Sequence, residues 1–155
     1  MFYVREGRSQ GINWKYVTTA NITFKFDIKY SIPCEFKNEW IWFRIEEDNL
    51  LLTVNKDYAW DGCSFVPDFE GTIIPSLAHD AIYQFMKELS NAWNMSMYKV
   101  SVLADKLFFE SMKKQKRTAK FIKRSYYIGA RLLGFTFKMT GRFFRKLLNK
   151  ENRFE

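Results

Sequence analysis

The sequence predicts an α+β fold, in which antiparallel strands or hairpins come first and a bundle of about three helices follows. Before residue 57, apolar and polar residues alternate with the period of two that is typical of half-buried strands. After residue 75, apolar residues recur every three or four positions, as in helices packed on a core. We predict one domain: mainly strands in 1–57, an ordered loop in 58–74, two helices in 75–115 and a long basic amphipathic helix in 116–155.

The strand prediction is strongest over residues 21–30, NITFKFDIKY, where every second side chain is apolar. Residues 40–46 and 50–56 predict two more strands, and the polar residues 47–49 between them favour a hairpin turn. Residues 14–19 predict a further short strand. In the second half, Pro75 suits the first turn of a helix that continues to residue 89. A second helix is predicted from residue 96 or 97 to about 113, and a third over roughly 118–149.

The charge is distributed unevenly along the chain, and the cysteines and the first ten residues indicate the compartment in which the protein works. Residues 112–155 contain 14 Lys and Arg against 2 acidic residues, whereas the preceding residues contain 11 basic and 15 acidic ones. Cys34 and Cys63 form no CxxC pair, which argues against a disulfide framework. The first ten residues carry charges where a signal peptide would be apolar. No apolar stretch reaches the roughly 18 residues that a membrane span needs. We therefore expect the protein in a cytoplasm or in a particle assembled there.

Concentrated chemistry is expected around His79, the only histidine of the chain. Tyr83 shares its helical stripe, whereas the side chain of Asp80 points about 100° away. Asp105 lies on the second helix among apolar neighbours, and a carboxylate there needs a partner if it is buried. Asp61 lies in the predicted loop. The sequence thus predicts a polar cluster formed by three segments.

Three interpretations of this cluster compete. Asp61, His79, Asp80 and Asp105 are candidate ligands of a divalent metal such as Mn, Fe or Zn, which could activate water for hydrolysis; no other cofactor is indicated. Alternatively, Cys63 is a nucleophile, His79 its base and an aspartate the residue that orients the base. In the third interpretation, His79 and Asp105 bond each other and fix the register of two helices. The candidate catalytic residues are His79, Asp105 and Asp61.

Several known motifs are absent from the sequence. The phosphohydrolases named for a His-Asp doublet need additional histidines for their metal centre, and His79 is the only one here. HExxH, GxGxxG and Walker motifs are also missing. The assignment to the His-Asp phosphohydrolases therefore fails, and the interpretations above stay open.

Four motifs resemble a phage-borne family of unknown function, the domain-of-unknown-function family 1353: AWDGCSFVPDF at 59–69, LAHDAIYQ at 77–84, ADKLFFESM at 104–112 and YYIGARLLG at 126–134. The resemblance covers roughly residues 15–135 and implies a bacteriophage or prophage origin and an α+β fold, but no reaction. Cys63 stands where the family usually has a small residue, often alanine. The matching motif positions, some of them structural, are Asp61, Gly62, Ser64, Pro67, His79, Asp80, Tyr83 and Asp105.

Basic residues are spaced by seven along the C-terminal segment, at Arg124, Arg131, Lys138 and Arg145, with Arg142 nearby. The same segment is rich in Phe and Leu. It could be a core helix with a solvated edge, a membrane-surface helix or a nucleic-acid face, although the apolar surplus fits nucleic acid less well. Docking on a protein partner, either a phage structural protein or a second copy, fits both the charge and the apolar surplus.

The function predicted from the sequence is therefore that of a bacteriophage-encoded interaction protein. We expect an accessory component of the phage particle or tail that docks through its basic C-terminal helix. The alternative is a metal-dependent hydrolase centred on His79, with Asp61, Asp80 and Asp105.

Overall fold

The computed structural model describes residues 4–9, 12–28, 33–62, 69–115 and 120–131. It confirms the predicted α+β class, with strands first and helices after. The described strands are β1 (Val4–Ser9), β2 (Ile12–Thr18), β3 (Ile22–Asp27), β4 (Cys34–Lys37), β5 (Ile41–Glu46), β6 (Asn49–Val54) and β7 (Ala59–Trp60). The described helices are α1 (Glu70–Gln84), α2 (Met86–Ala92), α3 (Met97–Lys114) and α4 (Lys120–Gly129).

The larger sheet has the antiparallel order β3-β6-β5-β4. Strands β5 and β6 form the predicted hairpin, and its tight turn places Glu47 at a φ of 52°. The alternation predicted for β3 is confirmed, since Ile22 and Phe26 are buried while Thr23 and Lys25 are exposed. One face of this sheet consequently lies on the core and the other faces outward.

The smaller sheet has the order β1-β2-β7. Strand β2 confirms the predicted strand at 14–19, whereas β1, β4 and β7 were not predicted. Beside β2, the Thr18 hydroxyl donates to the carbonyl of Asn55 at 2.7 Å and accepts from the N–H of Tyr58 at 2.9 Å. These bonds hold the chain in place just before β7, so that Trp60 and Asp61 follow from a fixed point.

Helix α1 begins at Glu70, so the prediction that Pro75 lies in the first helical turn was wrong. The Thr72 hydroxyl accepts a hydrogen bond from the N–H of Phe69 at 3.0 Å and donates to the Phe69 carbonyl at 2.9 Å. Thr72 thus makes one of the two bonds of a capping box, the one between the N–H of the N-cap residue and the side chain three residues later. Pro75 lies inside the helix, where it lacks the N–H that would bond the Gly71 carbonyl, and is buried against the core.

The predicted loop at 58–74 therefore contains strand β7 and the first residues of α1. The predicted first helix, at 75–89, is divided at Phe85, whose backbone (φ −103°, ψ 21°) leaves helical geometry before α2 begins. Helix α3 starts at the predicted residue, with Ser96 as its N-cap. Of the predicted third helix, the structure describes α4 and the wider, π-type turn formed by Ala130 and Arg131, and residues 132–149 lie outside the described ranges.

Two hydrophobic clusters hold these elements together in the described part of the chain. The main core lies between the inner face of the larger sheet and helices α1, α2 and α3. A smaller cluster of Phe108, Met112 and Tyr126 joins α4 to α3. Because burial of one large apolar side chain contributes about 1.5–3 kcal/mol, α4 rests on much less apolar stabilisation than the main core.

Candidate functional site

The candidate site lies where α1, α3 and the end of α4 meet. The His79 ring stacks on the ring of Tyr83, with centroids 4.3 Å apart and planes at 30°. The ring of Phe108, on α3, also contacts the His79 ring, and the two ring centroids are 5.3 Å apart. The i, i+4 spacing on α1 thus places an imidazole and a phenol side by side, facing α3.

Asp105 is at the centre of the cluster, with a side chain only 1% exposed. Its Oδ1 lies 3.0 Å from His79 Nε2 and accepts a hydrogen bond from the Tyr83 hydroxyl at 2.9 Å. Its Oδ2 accepts a hydrogen bond from Arg131 Nη1 at 3.1 Å. A buried carboxylate is tolerated only when its charge is paired and its oxygens are bonded, and these contacts fulfil both conditions.

His79 is held between two carboxylates. Its Nδ1 lies 3.2 Å from Asp80 Oδ1, while Nε2 faces Asp105. Burial by itself would lower the pKa of His79, but the hydrogen bonds and negative charges of Asp105 and Asp80 outweigh it and raise the pKa to about 9. At neutral pH the ring is therefore a cation that donates from both nitrogens, one toward each carboxylate.

Arg131 joins α4 to this cluster. Besides the bond to Asp105, Arg131 donates a second hydrogen bond, from Nη2 to the Tyr98 hydroxyl oxygen at 3.2 Å. Tyr83 remains a protonated donor, because burial and the negative charge of Asp105 raise its pKa. The carboxylates of Asp80 and Asp105 balance the cations of His79 and Arg131. This set of four is electrically neutral, and it connects three helices.

The other predicted site residues are placed differently. Asp61 is exposed, and the buried Gly62 has a φ of 72°, a conformation that glycine adopts without strain. Cys63, Ser64 and Pro67 lie outside the described residues. Elsewhere along the chain, Lys138, Arg142 and Arg145 also lie outside them.

The metal interpretation has no support from the described residues, among which no group of three or more His, Cys, Asp and Glu is arranged to hold a metal ion. Each ring nitrogen of His79 faces a carboxylate oxygen, one of Asp80 and one of Asp105. Of the three interpretations, the geometry matches the His79–Asp105 pair that fixes helix register. The metal-dependent hydrolase and the Cys63 nucleophile stay predictions.

Arg131 has a role that the sequence did not reveal. Its seven-residue spacing from Arg124 placed the two on one partner-facing stripe, yet Arg131 donates to Asp105 while Arg124 is exposed. Arg131 lies in the wider, π-type turn of residues 130–131, just beyond the end of α4. The available signal was the isolated Asp105 on an apolar helix face, which called for a cation from some other segment.

The surface around α4 is the second notable feature of the structure. Among the described residues, the strongly exposed large apolar side chains are Phe121, Tyr98, Ile128 and Phe69. Phe121 and Ile128 belong to α4, Phe69 lies 6.2 Å from the α4 residue Tyr126 between ring centroids, and Tyr98 contacts Arg131. The exposed apolar surface is therefore concentrated on and beside one helix.

Comparison of the chain with family models, with curated proteins and with solved structures found no match. In the part of the chain that the structure describes, no helix has the length and apolar character needed to cross a membrane.

Proposed function

We propose that this chain is a phage-encoded interaction protein, an accessory component of the particle or tail, that docks on a protein partner through α4. The phage origin rests on the motif resemblance around Asp61, His79 and Asp105. The docking role rests on the exposed apolar surface concentrated at α4. In this proposal the polar cluster is a clamp that holds α4 in a fixed position on the body.

One observation carries the proposal: Phe121 is 81% exposed on a helix whose opposite side is packed. An exposed phenylalanine on a well-formed helix favours a partner that covers it, because transfer of a large apolar side chain out of water contributes about 1.5–3 kcal/mol. Ile128, 48% exposed, extends the same surface by two helical turns. The exposed Arg124 between them gives that surface a positive charge.

The clamp explains why this surface is presented in one orientation. Arg131 bonds the buried Asp105 on one side of α4, and the Lys123 ammonium donates to the Gln115 carbonyl at 2.6 Å near its start. Tyr126 packs between them in the smaller apolar cluster. A helix fixed at both ends and in the middle is preorganised for docking, which reduces the entropy that association would cost.

The test is co-sedimentation of the protein with phage particles from the producing host. A Phe121→Glu/Ile128→Glu double variant should lose at least about tenfold in particle-bound protein, because two charged groups would replace the apolar contact. Removal of residues 136–155 should also abolish association if the basic segment takes part. The matched control is Lys87→Glu/Asn91→Glu on the exposed side of α2, which should associate like the unmodified chain. Equal association of the Phe121/Ile128 variant, or no association of the unmodified chain, would overturn the proposal.

A further inference from the structure

The exposed apolar surface of α4 is a narrow line. Phe121 and Ile128 are seven residues apart, so they lie within about 20° of one line along the helix, separated by about 10 Å. Arg124 borders this line on one side and Ser125 on the other, and both are exposed. On α4 itself the apolar strip is therefore about one side chain wide with polar edges, while the exposed Phe69 and Tyr98 lie beside the helix.

From this shape and charge we infer that the partner element is an acidic amphipathic α-helix, an inference that rests on the proposed docking function. Its apolar stripe would cover Phe121 and Ile128, and its carboxylates would lie beside Arg124. A helix can meet both side chains, because apolar residues seven apart on a partner helix also lie near one line and about 10 Å apart.

Charge decides between an acidic helix and a second copy of the chain. In a symmetric antiparallel pair, the two-fold axis would pass near the middle of the line and bring Arg124 close to its own copy. Like charges across a helix seam destabilise pairing, whereas a carboxylate at that place is attracted. The formal net charge of +8 adds to the repulsion between copies.

The packing of α4 argues against a membrane surface as the occupant. An interfacial helix buries a broad apolar face among lipid headgroups. The apolar side of α4 that contains Tyr126 is already packed on Phe108 and Met112 of α3. Only the line of Phe121 and Ile128 remains exposed among the described apolar residues of α4, which suits one helix better than a bilayer.

The experiment places a photoreactive group at the centre of this surface. The full chain with Phe121→p-benzoylphenylalanine is produced in the phage-producing host, irradiated, and the adduct is mapped to a residue by mass spectrometry. The expected adduct lies in a partner helix with an apolar stripe and flanking Asp or Glu; capture of a protein without that mapping does not support the inference. An adduct to lipid, to nucleic acid, to this chain itself, or to a strand, loop or basic segment overturns it, as does particle association without any adduct.

A second measurement tests the charge. Arg124→Glu in the photoreactive chain should reduce the adduct yield by about fivefold or more, which corresponds to about 1 kcal/mol. Lys106→Glu, an exposed position of α3, is the matched control and should leave the yield unchanged. An equal yield with Arg124→Glu contradicts an acidic partner. The proposed function fails separately, when the Phe121/Ile128 double variant still associates with particles.

Discussion

At the scale of single residues, Asp105 is the group on which the cluster depends. Its carboxylate is almost fully buried and accepts hydrogen bonds from His79, Tyr83 and Arg131. A buried charge pair adds little net stability compared with an apolar replacement, but loss of one partner leaves the other charges uncompensated. Substitution of Asp105 should therefore lower the free energy of unfolding.

Asp105→Asn should lower the free energy of unfolding by about 3 kcal/mol, because both His79 and Arg131 lose their shared buried counter-charge. Urea denaturation at pH 7 measures this change. Asp57→Asn is the matched control: Asp57 is exposed with a φ of 66°, a conformation that asparagine tolerates, so the effect should stay within about 0.5 kcal/mol. Equal unfolding midpoints for the two variants would contradict the role of Asp105.

The pH dependence of stability follows from His79, whose pKa is raised to about 9 in the folded protein from an ordinary value of 6.5. The folded protein holds this proton more tightly than the unfolded chain, so the stabilisation is complete below pH 6.5 and is lost as pH rises through 9. The loss should amount to about 3 kcal/mol. Unfolding free energies measured from pH 6 to 9.5 give the curve.

His79→Gln is the control for this curve, since it removes the titrating ring and should remove most of the slope between pH 6.5 and 9. His79 is the only histidine in the chain, so no other imidazole contributes. A flat curve for the unmodified protein would show that the ring is not held as a cation.

At the scale of secondary structure, the sequence predicted those elements whose pattern is local. Strands β3, β5 and β6, their hairpin and helix α3 all have a strong period or a cap in their own residues. Strands β4 and β7 have four and two residues, too few for a period, and they exist because β5 and β2 pair with them. The start of α1 was missed because Phe69 occupies the cap position and the capping hydroxyl belongs to Thr72.

Helix α4 should be held on the body largely by Arg131. Arg131→Gln removes the cation from Asp105, a charge-assisted bond worth about 1.5–3 kcal/mol, and should make the amides of α4 exchange at least about tenfold faster than before. Hydrogen exchange with mass spectrometry compares α4 with α1 in each variant. Arg124→Gln changes an exposed arginine within α4 and should leave exchange as it was. Identical exchange in both variants would mean that Arg131 does not hold the helix.

The candidate site was predicted only in part, for a physical reason. The 3.6-residue repeat places His79 and Tyr83 side by side, and the apolar surroundings of Asp105 show that it needs a partner. The identity of that partner depends on how α4 crosses α3, since Arg131 is 26 residues away in the sequence. Helix crossing and the direction of a side chain after a π-type turn come from tertiary packing, which a single sequence does not encode locally.

At the scale of the whole molecule, the described residues divide between a large core and a small one. Leu52 is fully buried in the core shared by the larger sheet and three helices, whereas Met112 is buried in the cluster that attaches α4. The difference predicts that the body and α4 lose structure at different free energies. A protein built in this way can keep its body intact when α4 loses its structure.

Leu52→Ala should lower global stability by about 3–5 kcal/mol, because it leaves a cavity in the main core. Met112→Ala should mainly speed hydrogen exchange in α4 and change the global transition less. Tryptophan fluorescence follows the body during denaturation, since all five tryptophans lie between residues 14 and 93, and hydrogen exchange follows α4. Equal losses of the tryptophan-detected transition in both variants would indicate a single cooperative unit.

The placement of the sole imidazole makes the protein its own spectroscopic probe. The carbon-bound ring protons of His79 are the only histidine signals that a proton NMR spectrum can contain, so comparison with the spectrum of His79→Gln identifies them. The Tyr83 ring stacked 4.3 Å away and the Asp105 carboxylate set their frequency. Any ligand of α4 that pulls Arg131 from Asp105 would shift these resonances, and binding could then be followed through one pair of lines.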